Sequence, residues 1–365
     1  MRPVACFFAL AMMVAAAPVD DFIVAAKQKH GDTGEKAARF LVENMPARDR
    51  DTLSMEFLVE NLDMAMKARS GFSWAREVPE EIFLNDVLPY AVFDEPRDPW
   101  RAEFHEKAAV IVSDAKSATE AVQTLNREFF KIVNVHYNTG RKRANQSPKE
   151  SMESGIATCT GLSIILVDAC RSVGIPARAA GTPMWSNGLG NHTWVEIWDG
   201  GWHFTGADEY DKDGLDRGWF VNDASKAKAD VPENAIYSTS WKKTGLAFPM
   251  VWSGGNDSVH GVNVTDVYVK PAAPAGGTAT LGVRFFEKKA GGRLVAKVTV
   301  LDESGGEIAS GETKAGTADL NDMPRFELKP GMKGKLRFLV GGETKEVSFG
   351  PLGNDSPVID AFLRD

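Results

Sequence analysis

Cysteine is scarce in this chain: three residues in 365, at positions 6, 159 and 170. Long apolar runs are scarcer still. One begins at Val4 and ends at Val14, behind Arg2 and ahead of Ala15-Ala16-Ala17. That order of charge, short apolar run and small residues predicts a signal peptide over residues 1–17, hence a secreted, periplasmic or cell-surface protein. No other run approaches the ~20 residues a membrane-spanning helix needs. Basic charge is in deficit, 42 Lys and Arg against 50 Asp and Glu, for a net charge of −8. Losing Arg2 with the leader makes that −9, which argues against a nucleic-acid partner and makes the run Gly140 to Arg143 (GRKR) a solvated loop. The six histidines lack ligand spacing, no cysteine pair suits zinc, and no glycine-rich phosphate loop is present. No cofactor is therefore expected.

At 365 residues with 43% hydrophobic content, the chain is long enough for two or three domains. From 18 to 135 the pattern is helical. The segment from Ser117 to Val133 opens with the capping-box spacing Ser117…Glu120 and carries Val122, Leu125, Phe129, Ile132 and Val133 on one stripe. Between 136 and 270 the signal is mixed, one helix followed by strands. PAAPAGG at 271–277 is a linker, and 278–365 alternates as a small β-sandwich, with Gly341-Gly342 as a hairpin turn. The fold class is α+β: helical N-terminal region, central helix plus antiparallel sheet, and C-terminal β-sandwich.

Both cysteines outside the leader lie in ESGIATCTGLSIILVDACRSVGIPAR, residues 153 to 178. Apolar residues recur at helical spacing from Leu162 to Val173, with Gly174 and Pro176 ending the helix. Cys159 and Cys170 are three turns apart on it, ~16 Å, too far for a disulfide. Cys170 falls in the buried stripe and is packing. Cys159 follows a candidate N-cap, Thr158, and sits in the first turn among unpaired N–H groups at the positive end of the helix. That location favours a thiolate and offers amides to a developing oxyanion.

Downstream, NHTWVEIWDGGWHFTGADE predicts a hairpin with His192, Trp194, Glu196 and Trp198 on one face. A three-residue loop, 199–201, pairs Trp198 with Trp202 and His192 with Asp208. A two-residue loop, 200–201, pairs His192 with Glu209. Either register sets a carboxylate beside a histidine, the base and orienter that an activated cysteine needs. EYDKDG (Glu209 to Gly214) has calcium-loop spacing, but Phe220 stands where the loop requires a bidentate Glu, so it is an acidic turn.

Taken together, GIATCTGLSIILVDACRSVGIPAR and NHTWVEIWDGGWHF resemble the core of the transglutaminase-like superfamily over residues ~145 to 220, with an echo in PEEIFLNDVLPY at 79–90. The resemblance implies a papain-like arrangement with Cys159 as nucleophile and His192 as general base. The usual family pattern has Asp about four residues after the second-strand Trp, where this chain has Gly206. A Gly-Ala-x-Glu ending resembles that of the secreted bacterial branch, which favours Glu209 as the orienting acid with Asp208 next. For the second oxyanion donor the family uses a side chain upstream of the cysteine or an aromatic; Gln146, Tyr137 and Trp185 are of the right types. The expected function is cysteine-dependent cleavage or transfer at a peptide or isopeptide amide of a peptide or protein substrate, hydrolysis ahead of cross-linking. The alternative is a catalytically degenerate module that binds protein or glycan at the cell surface.

Overall fold

The computed structural model describes residues 19–188, 190–269, 279–289, 291–315, 323–353 and 357–364. The expected leader (1–17) and linker (271–277) lie outside them. Among the described residues, nine helices precede the central sheet: α1 (Val19–Asn44), α2 (Ala47–Thr52), α3 (Met55–Gly71), α4 (Ser73–Arg76), α5 (Glu80–Asp86), α6 (Trp100–Ile111), α7 (Ala118–Val133), α8 (Pro148–Ser154) and α9 (Cys159–Ser172). Two-residue strands β1 (His136–Tyr137) and β2 (Ile156–Ala157) pair in parallel and bracket α8. The central sheet contains β3 (Ala177–Thr182), β4 (His192–Trp198), β5 (Trp202–Thr205), β6 (Tyr237–Ser240) and β7 (His260–Asn263), in the antiparallel order β5-β4-β3-β6-β7.

At α7 the Ser117 hydroxyl accepts the Glu120 N–H at 3.1 Å, while the Glu120 carboxylate reaches back to the Lys116 N–H at 2.9 Å, one residue beyond the standard capping box. Val122, Leu125, Phe129 and Val133 are buried as the spacing predicts, but Ile132 faces solvent. Phe130 takes the inward place, because the buried arc is centred a residue away from the predicted stripe.

The helix α9 departs most from expectation. Its sequence predicts one apolar face, yet every residue from Cys159 to Ser172 is buried. α6 and α7 pack on one flank and the central sheet on another, leaving no face for water. The Ser163 hydroxyl and the Asp168 carboxylate are buried without a hydrogen-bond partner among the described residues, whereas Arg171 is answered internally. Arg171 donates to the carbonyls of Asp86, Ala177 and Ala91, and the buried Arg101 from α6 donates to the carbonyls of Val87, Leu88 and Pro89. The segment 79–91 is thereby drawn around the C-terminal half of α9 by two guanidiniums whose donors are filled. Gly174, at φ 75°, ends the helix; a Cβ there would stand 2.6 Å from that of Ala75.

Strand β4 is buried on both faces. Val195 and Ile197 join the core around α9, whereas Trp194 faces Trp185, Phe220 and Tyr268. Glu196, also buried, accepts from Arg178 at 2.7 Å, Ser238 at 2.6 Å and Tyr268 at 2.6 Å, a fully partnered carboxylate that ties β4 to its neighbours.

Beyond residue 278 the strands are β8 (Ala279–Phe286), β9 (Lys297–Asp302), β10 (Glu307–Glu312), β11 (Arg325–Leu328), β12 (Gly334–Val340), β13 (Glu343–Phe349) and β14 (Val358–Phe362). They form sheets ordered β10-β9-β12-β13 and β11-β8-β14, packed over a core that includes Val283, Phe285, Val298, Leu336 and Phe338. Gly341 and Gly342, both at positive φ, close the predicted hairpin between β12 and β13. Met323 and Val358 from this region pack into the aromatic cluster around Trp194, Trp219 and Phe220.

Candidate active site

Cys159 opens α9 with 7% of its surface exposed. Thr158 occupies the N-cap position, but its hydroxyl makes no cap bond; it accepts instead from the Arg141 guanidinium at 2.8 Å. The first-turn amides of α9 are thus not consumed by their own cap, which keeps the positive helix end directed at whatever lies before it. Arg141 belongs to the run predicted as a plain solvated loop, and its neighbour Arg143 pairs with Glu150. That loop therefore anchors the residues that lead into the cysteine.

His192 opens β4 and is 2% exposed. Its ring lies against Trp219 at 4.7 Å between centroids, Phe220 at 5.0 Å, Trp194 at 5.7 Å and Trp185 at 6.4 Å. Neither ring nitrogen has a hydrogen-bond partner among the described residues. Burial, with the nearby Arg325 guanidinium second, holds the imidazole well below its usual range, so at neutral pH it is an uncharged base. Cys159 and His192 line the same cavity of about 110 Å³, whose walls also include Tyr137, Asp208, Glu209 and Arg325.

The hairpin register is the three-residue-loop form, with Trp198 opposite Trp202 and Asp199 N–H bonded to Gly201 O. Pairing stops at Val195–Thr205, however, and the chain turns away at Asp208, a non-glycine residue at φ 60°. Asn126 of α7 holds that turn: its amide donates to Gly206 O at 2.8 Å, and its oxygen accepts Asp208 N–H at 2.9 Å. Asp208 then meets His136 at 3.1 Å, not His192. Glu209 accepts from Trp219 Nε1 at 3.1 Å and Arg325 at 3.4 Å. Its other oxygen is buried without a partner, and burial raises its pKa. The expected carboxylate–imidazole bond is thus absent: the ladder ends before either acid comes opposite the histidine.

A second feature of Glu209 bears on Gly206, the position at which the usual pattern has aspartate. A Cβ added at Gly206 would fall 2.1 Å from Glu209 Oε2 and 2.7 Å from its Cδ. The Glu209 carboxylate folds back into the space that a side chain at 206 would fill.

Among the other expected donors, Tyr137 lines the cavity. Gln146 is not among the cavity-lining residues. Its amide accepts Lys142 N–H at 2.8 Å and donates to Ile156 O at 2.9 Å, bracing the loop before α9. Trp185 is buried behind the His192 ring and does not line the cavity. His203, on β5, bonds Asp216 at 2.6 Å. In the acidic turn, Asp211 and Asp213 pair with Arg217, and no cluster of metal-ligating side chains occurs among the described residues. Sequence inspection missed His136, Asn126, Trp219 and Arg325. Each reaches the site through contacts between residues far apart in sequence, and none carries a local signature.

A cysteine at the head of a buried helix and a histidine at the head of a strand thus face one cavity. Residues 106–224 match the model of the transglutaminase-like superfamily. This transglutaminase-like domain takes in α7, α8, α9 and strands β1 to β5. No curated protein matches the chain. Among solved structures, it is similar to a candidate cysteine protease from Cytophaga hutchinsonii, at 18% identity over 32% of this chain and 40% of that one, with a TM-score of 0.26. It is also similar to red sea bream transglutaminase, at 10% identity over 69% of this chain and 57% of that one, again with a TM-score of 0.26. The chain thus spans less than two thirds of either protein.

Proposed function

We propose that the protein is an exported cysteine-dependent enzyme that cleaves or transfers an acyl group at a peptide or isopeptide amide. The observation that carries this is the shared cavity of Cys159 and His192, with Cys159 in a first helical turn whose amides are not taken by a capping side chain. Cys159 thiolate attacks the amide carbonyl carbon, and the C–N bond breaks as the imidazolium of His192 returns its proton to the leaving amine. The resulting thioester passes to water, which His192 deprotonates, or to a second amine. The Cys159 amide and the Tyr137 hydroxyl are the proposed oxyanion donors. Glu209 is the proposed orienting acid, since its carboxylate fills the space of a side chain at 206; Asp208 is committed to His136. Water is favoured as acceptor because no feature marks an amine-binding site.

A second possibility, a non-catalytic module that binds protein or glycan, is favoured by one observation, the lack of a carboxylate bonded to His192. A peptide pool incubated with the protein, with and without putrescine, separates these outcomes by mass. Cleavage that disappears in Cys159→Ala supports the hydrolase, and putrescine adducts that disappear likewise support amine transfer. If the peptide masses are the same with wild type and variant, the enzyme assignment fails.

A further inference from the structure

Arg325 begins strand β11, in the sandwich, yet its side chain lies in the wall of the Cys159–His192 cavity. The guanidinium stacks over Trp219 at 4.9 Å from the ring centroid and reaches Glu209 Oε1 at 3.4 Å. Trp219 has three neighbours at once: the His192 ring at 4.7 Å, the Arg325 guanidinium over its face, and Glu209 at its Nε1–H. Glu209 is therefore held by two donors, one from each domain, while His192 has no carboxylate partner.

We infer that Arg325 is a positioning residue of the cysteine–histidine site, through which the sandwich sets the direction of the Glu209 carboxylate and thereby the basicity of His192. The inference rests on His192 being the site's base. Among the described residues, the charged and titratable groups that line the cavity with that imidazole come from four places: Tyr137 from β1, Cys159 from α9, Asp208 and Glu209 from the segment after β5, and Arg325 from β11. Asp208 is engaged by His136, which leaves Glu209 and Arg325 to act in opposite senses. Arg325 repels a proton on His192 directly. It also draws off the carboxylate that would stabilise one. Losing the guanidinium removes both effects, so they add in one direction. The sandwich thus supplies a side chain that acts on the reacting residues through another.

The test is NMR titration of the His192 ring in the full chain, with the resonance assigned by its loss in His192→Ala. In Arg325→Gln, the imidazolium population at pH 7 is expected to rise on the order of threefold to tenfold over wild type. Arg325→Lys keeps the charge and is expected to stay near wild type, although it loses the flat stacking group as Gln does. A purely structural role would move both variants alike. Trp219→Phe, which keeps the ring and removes the N–H that holds Glu209, is expected to raise the population in the same direction and stands in if Arg325→Gln does not fold. Cys170 must remain unreactive to iodoacetamide in each variant, as proof of an intact core. A His192 titration unchanged in both Arg325→Gln and Trp219→Phe overturns the inference, as does an equal shift in Arg325→Gln and Arg325→Lys. Failure of the base assignment looks different: His192 then titrates with the expected response to Arg325, but Cys159 ionisation is unaffected by His192→Ala.

Discussion

The fold-back of Glu209 over Gly206 makes a quantitative prediction. Gly206 has no positive φ, so alanine there meets no backbone penalty, and the whole effect must come from its new Cβ. That atom would stand 2.1 Å from Glu209 Oε2 and 2.9 Å from Glu209 Cβ. Turning the carboxylate end alone leaves the second contact, so the glutamate must leave its place. It then loses the 3.1 Å bond from Trp219 and the looser, partly exposed contact with Arg325. A hydrogen bond to a charged group is worth about 1.5–3 kcal/mol, and the Arg325 contact adds little once solvent screening is allowed for. Gly206→Ala should therefore cost about 2 kcal/mol in the wild-type background. In Glu209→Gly, which lacks the Cβ as well as the carboxylate, there is nothing to displace, and the same substitution should cost less than about 0.5 kcal/mol, leaving a coupling of about 1.5 kcal/mol. Urea unfolding followed by tryptophan fluorescence reads this directly: all nine tryptophans lie at or before Trp252, so the signal excludes the sandwich. Additivity of the two substitutions within about 0.5 kcal/mol would refute the fold-back as described.

Asn126→Ala leaves the Gly206 carbonyl and Asp208 N–H without their partner, and should cost about 2–4 kcal/mol in the same unfolding assay. Asn126→Asp should cost more than Asn126→Ala at pH 7, because it sets a carboxylate against the Gly206 carbonyl oxygen. Burial raises the Asp86 carboxyl from near 3.8 to about 6, despite Arg178 and Arg171 nearby. A carboxyl whose folded pKa is raised favours the fold while protonated. Its contribution is full below pH ~4 and is lost as the pH rises through ~6, about 3 kcal/mol in all. Asp86→Asn should accordingly flatten the fall in stability between pH 4 and pH 7, read from urea midpoints at the two values; an unchanged slope would contradict it.

The core of this fold was legible where local chemistry decides it. The Ser117 cap, the α9 boundaries from Cys159 to the glycine turn at 174 and the Gly341-Gly342 hairpin all follow from residues within a few positions of one another, while the β4–β5 turn left two registers open, of which the structure has Trp198 opposite Trp202. What failed depends on partners distant in sequence. α9 reads as amphipathic because Asp168 and Arg171 are charged, and nothing local says that Arg101 lies beside them in the core. The hairpin arithmetic brings Asp208 opposite His192 only if the ladder continues; Asn126, 82 residues away, ends it by turning the Asp208 amide. Gln146 has the chemistry of an oxyanion donor but spends its amide on the Lys142 and Ile156 backbone. Arg325 comes from strand β11 of the sandwich, 116 residues beyond Glu209.

Iodoacetamide alkylation of Cys159 against pH, with Cys170 as an internal control, tests the proposed thiolate–imidazole pair most directly. Burial pushes the Cys170 thiol well up, so its peptide should stay unmodified in the folded protein. If Cys159 and His192 act together, Cys159 reacts below pH 7, well under the ordinary thiol value of ~8.5, and loses that limb in His192→Ala. A Cys159 that titrates like an ordinary thiol in both proteins, or stays as silent as Cys170, would contradict the pair and leave the domain a scaffold.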